Sequence, residues 1–143
     1  MKITRSRFIV FLALLHALFN FSIYAQSRTA FSLIEQNEKE TVFLMMREQV
    51  DNVFIHIGVG HGHPPVEIEK EDFRSLKMAL LDIDLSDFET ILPPDAKKNY
   101  IIVIRNDYGH EADTSTTYSI PKDSPPNEIK DWIRRLKELA ERI

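Results

Sequence analysis

The sequence predicts an α+β domain: a mainly antiparallel sheet of about five strands with two helices packed on one face. Three observations carry this reading. Short apolar segments alternate with a period of two, turn residues join them as hairpins, and the C-terminal stretch repeats its apolar residues with a helical period. The helices close blocks of strands instead of following each strand, which argues against a doubly wound fold.

Ala30–Gln36 (AFSLIEQ) begins the alternation, with Phe31 and Leu33 on one side. After the polar loop Asn37–Glu40, Thr41–Met46 (TVFLMM) reads as the second strand of a hairpin. Asn52–Val59 (NVFIHIGV) is the clearest strand. Its Val53, Ile55, Ile57 and Val59 point one way and Phe54, His56 and Gly58 the other. Gly60-His61-Gly62-His63-Pro64-Pro65 then ends the ladder.

Glu67–Asp82 places Phe73, Leu76 and Leu80 at helical spacing, with Glu69, Glu71 and Asp72 at the end where a helix dipole favours negative charge. Leu85–Leu92 fits either a short helix or a loop before Pro93-Pro94. Tyr100–Arg105 (YIIVIR) is almost continuously apolar, the pattern of a central strand covered on both faces. Asn106-Asp107-Tyr108-Gly109 supplies the turn, and Ser115–Ile120 returns as partner. Ser124-Pro125-Pro126 opens the last helix, where Ile129, Trp132, Ile133, Leu136, Leu139, Ala140 and Ile143 form one apolar stripe.

The chain has 143 residues, 18 of them Lys or Arg and 22 Asp or Glu, and no cysteine. Disulfides, thiolate metal sites and cysteine nucleophiles are thereby excluded. Met1–Ala25 has the order of a secretory signal peptide: Lys2, Arg5 and Arg7, then the apolar run Phe8–Phe21, then small residues before Gln26. A run of 14 falls short of the roughly 20 residues a spanning helix needs. The sequence thus predicts one domain over 26–143, exported to the periplasm or outside the cell, without stable membrane insertion after cleavage. Without its first 25 residues the chain holds 15 basic against 22 acidic residues, a net charge of −7. Such a surface repels phosphate backbones, so nucleic acid is not an expected partner.

Chemistry concentrates in the histidines. His56, His61 and His63 lie within eight positions, and a His-x-His pair in extended backbone sends both imidazoles to one side. With His110 from the later hairpin loop they make a candidate zinc or copper set. The alternative is a solvated Gly-His-Gly-His-Pro-Pro loop, and no HExxH helix accompanies it. Gly58-Val-Gly60-His-Gly62 lacks the helix that a phosphate site requires, because a proline pair follows it. Asp82, Asp84, Asp87 and Glu89 lack the spacing of a calcium loop. With no nucleophile elbow either, a catalytic site is not expected. Binding is expected from loops instead: Gly60, His61, Gly62 and His63 in one, Asn106, Asp107 and Tyr108 in the other.

From Pro93 onward the chain resembles the emfourin-type family of small protease inhibitors. The likeness rests on Pro94-Asp95-Ala96, Tyr100 opening an apolar strand, the hairpin, Ile120-Pro121, Pro125-Pro126 and the Ile129/Trp132/Ile133/Leu136 helix. It implies a non-catalytic domain whose protein partner is an exported metallopeptidase. The N-terminal part lacks an early Gly-Gly after the first strand, so no functional residue carries over.

Overall fold

A computed structural model describes residues 28–49, 51–58, 64–92, 94–107 and 114–143. The predicted signal peptide lies outside them. The elements are β1 (Arg28–Gln36), β2 (Thr41–Glu48), β3 (Val53–Ile57), β4 (Val66–Ile68), α1 (Lys70–Leu81), a 3-10 turn (Ser86–Phe88), β5 (Glu89–Thr90), β6 (Asn99–Asp107), β7 (Thr114–Pro121) and α2 (Asn127–Glu141). All strands join one sheet in the order β4-β3-β2-β1-β6-β7-β5, and every pairing is antiparallel.

Among the described residues seven strands replace the roughly five expected, and both additions are short edge strands. Val66-Glu67-Ile68 had the composition of a helix start, yet it pairs with β3, and α1 begins only at Lys70 with Glu71 and Asp72 in its first turn. Leu85–Leu92, ambiguous in sequence, divides into the 3-10 turn and the two-residue β5 against β7. Edge strands this short limit the exposed ladder to which another chain could add.

In β1 the odd-numbered residues Thr29, Phe31, Leu33 and Glu35 are buried, while Ala30, Ser32, Ile34 and Gln36 are half-buried. The Phe31 ring stacks on Phe73 of α1 at 5.3 Å between centroids and meets Trp132 of α2 edge-on at 5.7 Å. Trp132 Nε1 donates to the Leu76 carbonyl of α1 at 2.9 Å, so the indole buries its ring without stranding its N–H. Phe73, Leu76 and Leu80 are buried as their spacing predicted, as are Ile129, Trp132, Ile133, Leu136 and Leu139. Ile143 stands beyond α2 and is exposed. Among the described residues no helix is long and apolar enough to cross a membrane.

Glu35 shares the buried side of β1. Lys137 Nζ donates to its Oε2 at 2.6 Å, and Lys122 Nζ lies 3.9 Å from Oε1. Lys122 also donates to the Gln36 carbonyl at 2.9 Å and sits over the Tyr100 ring. A carboxylate so placed needs charged partners to offset its lost hydration.

Candidate protein-contact face

The opposite side of the sheet is assembled by register. Ala30 sits opposite Arg47 and Arg105, Ser32 opposite Met45 and Val103, and Ile34 opposite Phe43 and Ile101. On β3, His56 faces Met45 and Phe54 faces Arg47, and Glu67 of β4 lies beyond Phe54. Cross-strand partners share a side, so these residues form three rows across one surface. Ile34, Phe43, Met45, Phe54 and Val103 are half-buried, and none belongs to the core cluster around Phe31. Ile101 is buried but likewise lies outside that cluster. The β7 end is hydroxylated instead, with Ser115, Thr117 and Ser119.

Two polar atoms on this face lack partners. His56 Nε2 and Arg47 Nε are both buried from water, and neither has a hydrogen bond. Arg47 makes no ion pair among the described residues. Burial holds the His56 imidazole below its ordinary pKa, and the neighbouring Arg47 charge lowers it further. His56 is therefore biased to its neutral form.

The other candidates divide. Asn106 Oδ1 accepts from Thr29 Oγ1 at 3.1 Å, a bond between neighbouring strands on the buried side of β1. Asp107 ends β6 opposite Arg28. Gly60, His61, Gly62, His63, Tyr108 and His110 lie outside the described residues. Their loops are anchored at opposite ends of the sheet. Gly58 N–H donates to the Phe43 carbonyl at the level of Ile34, whereas Asp107 is level with Arg28. Three strand spacings and six residues along a strand separate these anchors, roughly 25 Å. Among the described residues no group of three His, Asp or Glu side chains could hold a metal ion.

Phe43, Met45, Arg47 and Phe54 lie on strands, not in the loops expected to bind. The signal was present in Thr41–Met46, where apolar side chains fall on both faces of one strand, and in Phe54, which occupies a slot on the less apolar side of β3. β6 is central, as expected, but its Val103 is only half-buried, so the cover expected on both faces is incomplete on this one. No protein-family model matches the chain, and no curated protein matches it.

Proposed function

We propose that this chain is a small exported, non-enzymatic protein-binding domain that keeps both helices on one side of its sheet and offers the other side to a partner. One observation carries the reading: Ile34, Phe43, Met45, Phe54 and Val103 form a continuous half-buried apolar surface separate from the core. The contact of Phe31 with both Phe73 and Trp132 supports the helix placement, because one side chain projects to one side of a sheet. Apolar surface rimmed by polar groups is characteristic of contact sites. Gly58 and Asp107, which flank the segments expected to bind, stand at opposite ends of the sheet. The emfourin-type resemblance of residues 93–143 makes an exported metallopeptidase the partner class to test first.

Export follows from the predicted cleavage before Gln26. The test is co-purification from the exported fraction, run on the native sequence and on Phe43→Asp/Met45→Glu. The expected result is a reproducible protein partner that the double variant loses while its melting temperature is retained. Absence of the protein from that fraction, or recovery of no reproducible partner, contradicts the proposal.

A second reading is favoured by the unpartnered Nε2 of His56. A neutral imidazole is a ligand for zinc or copper, and β3 leads directly into the segment with His61 and His63. His61, His63 and His110 all lie outside the described residues, and His56 is the member of the candidate set whose surroundings are described.

A further inference from the structure

A trough runs along β1 on the contact face. Its floor is Ala30 and Ser32, and each of these small residues has a larger neighbour on either side. Arg47 and Arg105 flank Ala30, and Met45 and Val103 flank Ser32. Ile34 closes the trough between Phe43 and Ile101. The two arginines stand two strand spacings apart, about 10 Å, with only the Ala30 methyl between them.

The two ends differ in charge. Arg47 forms no ion pair among the described residues, and its Nε is buried from water without a hydrogen bond. Glu67 lies two strands from Arg47, beyond Phe54, and Arg28 stands opposite Asp107 in the neighbouring row. The Ala30 end is therefore cationic and the Ile34 end apolar, on a chain whose acidic residues outnumber its basic ones by 22 to 18.

We infer that this trough takes an amphipathic helix of a partner protein, with an Asp or Glu of that helix between Arg47 and Arg105 and its apolar side chains over Ser32 and Ile34. This deepens the reading of the face as a contact surface and rests on it. β1 is paired on both sides, by β2 and β6, so an extended segment laid across it would find no ladder to join. A helix satisfies its own backbone and needs none. The spacings agree as well. Residues four apart on a helix rise about 6 Å, and residues two apart on β1 about 6.8 Å. A carboxylate over Ala30 thus brings the residue four positions on over Ser32, and the residue eight positions on to Ile34. The carboxylate accepts charge-assisted hydrogen bonds from a guanidinium fork and gives the stranded Arg47 Nε–H its acceptor.

The test uses a labelled, alanine- and glutamine-based helical peptide of about 15 residues, carrying one Glu with Leu four and eight positions after it. Fluorescence anisotropy compares it with the same peptide bearing Gln for Glu, at low salt and up to about 1 mM protein. The native chain is expected to bind the Glu peptide about 10-fold more tightly than the Gln peptide. Arg47→Met should remove that preference, and Arg105→Met should reduce it. Arg47→Lys should retain part of it, because the charge stays and the fork is lost. Arg74→Met makes the same charge change on the exposed side of α1 and should leave the preference intact. Melting temperatures check that each variant folds. Equal affinity for the two peptides, no binding of either, or a preference that survives Arg47→Met overturns the inference. Equal affinity that Phe43→Asp/Met45→Glu abolishes would keep the face as a contact surface without this acidic specificity. If neither peptide binds, co-purification of a partner still measures the contact face, so the two failures are distinguishable.

Discussion

Lys137 Nζ of α2 lies 2.6 Å from Oε2 of Glu35, a carboxylate buried in β1, and this ion pair fixes the C-terminal helix to the central strand of the sheet. Lys122 approaches the other oxygen at 3.9 Å, so the carboxylate is held from two sides.

Removing one of these partners leaves the buried charge under-compensated. Lys137→Ala is expected to lower stability by about 1–2 kcal/mol, less than a fully buried pair because the lysine is partly exposed and Lys122 remains. Glu35→Gln keeps the shape and a hydrogen-bond acceptor and should cost less than Lys137→Ala. Urea midpoints of the two variants check the order, and equal midpoints for Lys137→Ala and the native chain would contradict it.

Trp132 joins three elements through its ring and its N–H. Trp132→Phe retains most of the contact with Phe31 but removes the donor to the Leu76 carbonyl, an expected loss of about 1 kcal/mol. Trp132→Ala also opens a cavity, with an expected loss of about 3–5 kcal/mol. Thermal melts of both variants give the ratio.

His56 makes stability depend on pH. Its folded pKa is lowered, chiefly by burial and secondarily by Arg47, so the unfolded chain binds the proton more readily. Its contribution is fully present above the unfolded value of about 6.5 and is lost as pH falls towards the folded value. His56→Gln is expected to remove that part of the acid-side slope. Arg47→Met should raise the imidazole pKa only in part, since burial is the larger cause. A nuclear magnetic resonance titration of the His56 ring reads both effects, and an unmoved His56 titration in Arg47→Met would refute the electrostatic share.

The metal reading is separated from the protein-binding one by zinc and copper titrations followed by calorimetry and melting temperature. Stoichiometric binding that raises the melting point, lost in His61→Ala/His63→Ala and weakened in His56→Ala, is the result expected of the His56/His61/His63 set. No heat and no shift in the native chain would discard the metal reading.

The sequence disclosed the long elements more readily than the short ones. The Ile129-to-Leu139 stripe and the alternation of β1 and β3 are dictated by burial on one side, and such periodicity is visible in a single chain. β4 and β5 are three and two residues long and owe their existence to a neighbouring strand, so local composition gives no period to detect. Strand order lies beyond local pattern too, and with it the separation of Gly58 from Asp107. The apolar second side of the sheet was partly legible in TVFLMM, whose apolar residues exceed what one covered side requires. Arg47 and Glu67 look like ordinary surface charges until the register places them in one row with Phe54.

A partner seated on the Phe43–Met45 side of the sheet is the central expectation. A photoreactive phenylalanine analogue at Phe43, with another at Met78 on the exposed side of α1, tests this directly in cells that produce the full chain. Cross-linked product from position 43 and none from position 78 is the expected result, and its mass distinguishes a second copy from another protein. Cross-linking from position 78 alone, or from neither position, would contradict the account.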